Sequence, residues 1–153
     1  MKVMLDEGAK MPTRAHPWDA GLDLYAPVDV TVPNSMMFPF DEIKLGSVTI
    51  DTGVHMEIPE GYVGFIKSKS GLNIKHGVTT CGGVIDCGYT GTIRVKLRND
   101  SDKDVYLEDG DKITQLLIVP VITEFELEEV DSTDDFYGGN SERGDNGFGS
   151  SGR

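Results

Sequence analysis

At 153 residues the chain fits one domain of common size, able to bury a core without disulfides or a structural metal. Its net charge of −12 excludes nucleic acid as an expected partner, since duplex binding neutralises phosphates with Lys and Arg. The longest apolar run, Leu116 to Val119 continued past Pro120 by Val121 and Ile122, falls far short of the ~20 residues a membrane span needs. Met1 to Asp6 turns acidic before a leader's apolar region forms, so no membrane partner and a cytoplasmic location are expected.

Strand signals dominate in chain order. Leu22–Tyr25 reads as a strand, and Val28 to Val32 alternates apolar and polar residues. The loop from Pro33 to Gly46 is apolar around Met36, Met37, Phe38 and Phe40, which suits a packed or partner-facing surface. Val48–Asp51 and Val54–Ile58 follow, then a Pro59-Glu60-Gly61 turn and a strand over Tyr62–Lys67. One short helix is predicted over Gly71–His76, with Ser70 as N-cap and Gly77 ending it. Ile93, Val95 and Leu97 share one face of a strand with Arg94, Lys96 and Arg98 on the other. Val105–Leu107, Ile113–Val119 and Val121–Leu127 complete the set. Short strands at intervals of about ten residues, divided by Gly, Pro, Asn and Asp, predict an all-β sandwich or barrel.

Cys81 and Cys87 match no zinc spacing, and His16, His55 and His76 do not cluster with them, so reduced structural thiols are expected. From Ile113 through Glu142 there is no Lys or Arg. Residues 1–127 are therefore expected to form the domain, and 128–153 an acidic linker with a flexible glycine-rich arm.

Three segments carry candidate chemistry, each with a bland alternative. Lys67-Ser68-Lys69-Ser70-Gly71-Leu72 joins cations and hydroxyls to a helix start, which suits phosphate, though on this segment alone an ordinary N-cap with solvated lysines is the favoured reading. Gly83 to Gly91 reads as a strand and a turn, in which Asp86 is either a turn former or a general base. Gly147-Phe148-Gly149-Ser150-Ser151-Gly152 formally matches GxGxxG, but the strand before and helix after that the dinucleotide motif requires are missing. A disordered tail and a phosphate clamp both remain open for it.

Taken together, these pieces resemble the trimeric dUTPases through five ordered motifs across nearly the whole chain. They are Ala20 to Ala26, Ser68 to Leu72, Gly83 to Gly91, Gly110 to Leu116, and Arg143 through Gly152. The resemblance implies a β jelly roll assembled as a homotrimer, with active sites at subunit interfaces and the C-terminal arm of one subunit closing a neighbouring site. It implies hydrolysis of dUTP to dUMP and pyrophosphate by water attack on the α-phosphorus, with Mg²⁺ as cofactor. By the same resemblance Asp86 activates the water, and Tyr89 lies under the deoxyribose and excludes a 2′-hydroxyl. A hairpin from about Val78 to Asp86, with Thr80, Gly83, Val84 and Ile85, reads uracil. Lys69, Ser70, Gly71, Gln115, Arg143, Gly149, Ser150 and Ser151 hold phosphates or close over them, and Phe148 stacks on the base. Asp23 is expected near the metal, through water, with the triphosphate as the metal's main ligand. The chain departs from the family pattern at Lys69, where Arg is usual, at Thr80, where Asn is common, and at Asn146, where Gly is usual. A dUTP-sensing regulatory protein of the same fold and a dCTP deaminase-like enzyme are the rival readings.

Overall fold

The computed structural model describes residues 1–37 and 43–141. It contains, in order, β1 (Val3–Leu5), β2 (Gly21–Tyr25), β3 (Val30–Val32), β4 (Met36–Met37), β5 (Ile43–Lys44), β6 (Gly46–Asp51), β7 (Val54–Met56) and β8 (Tyr62–Ser68). Helix α1 (Ser70–His76) follows, then β9 (Val78–Cys81), β10 (Val84–Ile85), β11 (Arg94–Asn99), β12 (Val105–Leu107) and β13 (Lys112–Pro120). The chain divides into a compact unit from Met1 to Ile122 and a second from Thr123 onward.

The first unit is an all-β jelly roll. Its two larger sheets have the orders β10-β8-β13-β2 and β6-β11-β9, all antiparallel, with three two-stranded pairs beside them. Alternation sets their inner faces. Along β11, Val95, Leu97 and Asn99 are buried while Arg94 and Lys96 face out. Leu24, Ile66 and Leu116 from one sheet and Ile50, Val95, Leu97 and Val78 from the other meet in a single apolar core. The centre of the larger sheet is β13, bonded to β2 on one side and β8 on the other; Pro120 ends it, where a missing N–H is tolerated.

Several expectations need adjustment. Lys69, not Ser70, is the N-cap of α1 and makes no side-chain cap bond, whereas Gly77 closes the helix at φ 69° as predicted. No hairpin runs from Val78 to Asp86: β9 pairs with β11 and β10 with β8, so the segment crosses between sheets. The crossing is made by Gly82 and Gly83 at φ 74° and 108°. A Cβ on Gly83 would stand 2.6 Å from that of Ile66, so glycine is needed twice over there. Residues 121–127 form no strand, because no neighbour pairs with them among the described residues and a lone strand leaves its amides unbonded. In the second unit, Thr133–Gly139 makes two short 3₁₀ turns across a kink at Phe136, the first opened by the Ser132 hydroxyl accepting from the Asp134 amide at 3.1 Å.

Candidate active site

The end of β8 and the start of α1 carry a polar cluster. The Thr80 amide donates to Ser68 Oγ at 2.9 Å, and the Thr80 and Thr114 hydroxyls lie 3.3 Å apart. Thr114 donates in turn to the Lys67 carbonyl at 2.8 Å. Thr80 is thus tied to Ser68 and Thr114, away from Asp86. Beside this trio stands Asp23, 4% exposed on β2. Lys69 Nζ donates to its Oδ1 at 2.5 Å, and Lys112 Nζ reaches its Oδ2 at 2.7 Å. Burial pushes the Asp23 carboxyl up, but the two ammoniums outweigh it and hold it below the usual carboxylate value. Lys112 is raised in return, chiefly by its bond to Asp23.

Gln115 lies opposite Asp23 in the β13–β2 register. A Cβ on Gly21 would come within 2.9 Å of Gln115 Oε1, so the first motif's glycine makes room for the fourth motif's amide. Together, Lys69, Ser70, Gly71 and Gln115 form a patch with hydroxyl, amide and ammonium donors suited to an anion.

Asp23 is a poor direct ligand for a divalent cation, because each of its oxygens already holds an ammonium. The two ammoniums also repel a cation brought directly onto the carboxylate, which disfavours direct ligation. Among the described residues no group of three or more His, Cys, Asp and Glu side chains is placed to hold a metal.

The second candidate centre follows β10. Asp86 is exposed, its backbone carbonyl accepts from the Tyr89 amide at 3.2 Å, and no hydrogen bond engages its carboxylate among the described residues. The Tyr89 hydroxyl donates to the Thr92 carbonyl at 2.9 Å, which folds the ring back over Gly91. One edge of this turn, at Tyr89 and Thr90, borders an apolar hollow of about 640 Å³ walled by Val3, Met4, Met56 and Ile58. His55 braces the turn from β7: Nδ1 lies 2.7 Å from the Thr90 carbonyl and Nε2 3.3 Å from Asp6 Oδ1. The Thr90 carbonyl, then the Asp6 and Asp51 carboxylates, raise its pKa.

Within one chain the two centres lie far apart. Ile85 pairs with Gly64, so Asp86 leaves the sheet near the start of β8, whereas Lys69 and Ser70 follow its end. At ~3.3 Å per residue the strand from Gly64 to Ser68 alone covers roughly 13 Å. Gly83, Val84 and Ile85 go with the Asp86 end, and Thr80 and Gln115 with the Lys69 end.

Arg143, Phe148, Gly149, Ser150 and Ser151 lie outside the described residues. Two residues missed in the sequence sit at the centres, Lys112 and His55. Lys112 could have been noted because it lies within the fourth motif. Nothing local marks His55, whose partners are 35 and 49 positions away.

The family model described as dUTPase matches residues 7–152. A deoxyuridine 5′-triphosphate nucleotidohydrolase of Hydrogenobaculum sp. strain Y04AAS1 is 41% identical, over 97% of this chain and 94% of its own. The dUTPase of Staphylococcus bacteriophage 80alpha, solved with dUPNHPP, is 31% identical with a TM-score of 0.83, covering 99% of this chain and 98% of its own. A mutant dUTPase from phage phi11 of S. aureus, whose structure concerns coordination of a structural Mg(II) ion, is 29% identical with a TM-score of 0.73. The match covers 86% of this chain and 96% of that one.

Proposed function

The chain belongs to the dUTPase family and is a dUTP diphosphatase, and on that premise we propose how its residues divide the work between subunits. The enzyme converts dUTP and water to dUMP and pyrophosphate. Asp86 takes the proton of the attacking water as general base, a role that typically contributes ~10²–10⁴-fold. Its exposed carboxylate, free of partners among the described residues, supports that role. Tyr89 forms the wall beneath the sugar, and the backbone of Gly83, Val84 and Ile85 reads the uracil edge. Lys69, Ser70, Gly71 and Gln115 hold the phosphates with charge-assisted hydrogen bonds and place the α-phosphorus for in-line attack. Arg143, Phe148, Gly149, Ser150 and Ser151, in the arm formed by residues 128–153, close over the nucleotide and exclude solvent.

The observation that carries the assignment is that Asp86 leaves the sheet near the start of β8 while Lys69 and Ser70 follow its end. A general base must come within one water of its target. Asp86 of one subunit therefore serves phosphates held by another, and the enzyme is a homotrimer with a site at each interface. Mg²⁺ is the cofactor we expect. With its carboxylate paired to Lys69 and Lys112, Asp23 would contact the ion through water, and the triphosphate would be its main ligand; the ion would supply neutralisation of phosphate charge.

Mixing two impaired variants, assayed at dUTP well below the wild-type KM, tests this. Asp86→Asn and Lys69→Ala are each purified, then unfolded and refolded together at equal amounts. After random reassembly at equal amounts roughly a quarter of all sites, about one in three within each mixed trimer, regain both an intact Asp86 and an intact Lys69. Activity should rise to about that fraction of the wild type. Mixed trimers no more active than the two parents would refute a site shared between subunits.

A further inference from the structure

We propose that Lys112 is a positioning residue for phosphate binding: it is the standing counter-ion of Asp23, and so frees Lys69 to move from Asp23 to the substrate's phosphates. This rests on the reading of Lys69 as a phosphate ligand. Two ammoniums meet one carboxylate here, and that carboxylate is almost wholly buried, at 4% exposed. With a single lysine, any excursion of that lysine would strand a buried charge, which is strongly unfavourable. With two, either can leave while the other keeps Asp23 compensated.

Nearness to the phosphate patch decides which one leaves. Lys112 begins β13, paired with Tyr25 at a register irregularity, and stays on Asp23 Oδ2. Lys69 lies just past the end of β8, in extended backbone at φ −74° and ψ 129°, directly before Ser70 and Gly71. Its stem is flexible and its compact ammonium can release one oxygen at a time, whereas an arginine fork would grip the carboxylate with two bonds.

Steady-state kinetics on dUTP and calorimetric titration with inorganic pyrophosphate, both on the full-length enzyme, provide the test. Lys112→Met should raise KM and weaken pyrophosphate binding roughly tenfold, with kcat changed less than about twofold. Lys112→Arg, which restores the counter-ion, should recover the wild-type values. In an Asp23→Asn background no charge holds Lys69 back, so adding Lys112→Met should leave KM where Asp23→Asn alone puts it. That comparison stands even if Lys112→Met by itself fails to fold, since it leaves no uncompensated carboxylate. An unchanged KM in Lys112→Met, or an equal effect with and without the Asp23 charge, overturns the proposal. Lys69→Ala separates the two levels. If it raises KM while Lys112→Met does not, only this inference falls. If Lys69→Ala leaves KM unchanged, the phosphate role of Lys69 falls and the inference with it.

Discussion

Tyr89 folds back over Gly91 so closely that a Cβ on Gly91 would stand 2.4 Å from the Tyr89 hydroxyl. The hydroxyl is held there by the Thr92 carbonyl at 2.9 Å. Gly91→Ala must therefore push the ring out of place, and the far end of a tyrosine can move. If Tyr89 is the wall that excludes a 2′-hydroxyl, kcat/KM for UTP relative to dUTP should rise roughly tenfold. Parallel pyrophosphate-release assays on the two nucleotides measure it, and an unchanged ratio would place the sugar filter elsewhere.

Gly21→Ala addresses the other centre. Its Cβ would press on Gln115 at 2.9 Å from Oε1 and 3.0 Å from Cβ. The amide should be displaced from the phosphate patch, raising KM for dUTP by roughly tenfold with a smaller change in kcat. A fall in kcat alone would argue that Gln115 acts on the transition state and not on ground-state binding.

Acid should weaken the Asp23 cluster in a definite window. The Asp23 carboxyl sits below its ordinary 3.8 when folded, because the two ammoniums outweigh burial. Its contribution to stability is complete above that ordinary value and is lost as pH falls through the lower folded one. Lys112, raised above its ordinary 10.5, contributes fully below that value and loses its part only as pH climbs through the folded one. The difference in melting temperature between wild type and Asp23→Asn should thus stay flat from about pH 5 to about 9, and narrow in acid. A difference that varies across the neutral range would point to another titrating group.

His55 should behave in the opposite sense. Its pKa is raised above 6.5, first by the Thr90 carbonyl and then by Asp6 and Asp51. The stabilisation it gives is fully present below 6.5 and fades as pH rises through the folded value. Thermal melts of wild type and His55→Gln should differ most near about pH 6 and converge above neutrality. NMR titration of the imidazole gives the folded value directly, and one at or below 6.5 would remove the brace on the Thr90 turn.

Leu116 tests the core that supports both centres. It is fully buried on the central strand, with its Cδ1 against Gly64. Leu116→Ala should destabilise the protein by about 2–5 kcal/mol, measured by denaturant unfolding. A much smaller loss would mean the site collapses around the cavity.

The sequence by itself determined what depends on near neighbours. Alternation placed Val95 and Leu97 inward and Arg94 and Lys96 outward, because a strand's period of two is written in consecutive residues. Gly77 marked the end of α1 because only a left-handed residue closes a helix that way at little cost. The five motifs were legible too, and with them the family. Tertiary structure alone decided what depends on partners distant in the chain. Residues 121–127 alternate as well as any strand, yet strand formation needs a neighbour and no local signal supplies one. The resemblance implied a hairpin from about Val78 to Asp86, but two glycines with positive φ carry that segment from one sheet to the other. Asp23 carried the charge of a metal ligand, and only the fold brought Lys69 and Lys112, 46 and 89 positions away, onto its two oxygens. The register of β10 on β8 then set Asp86 apart from Ser70, because an antiparallel pair sends its two following segments to opposite ends of the strand.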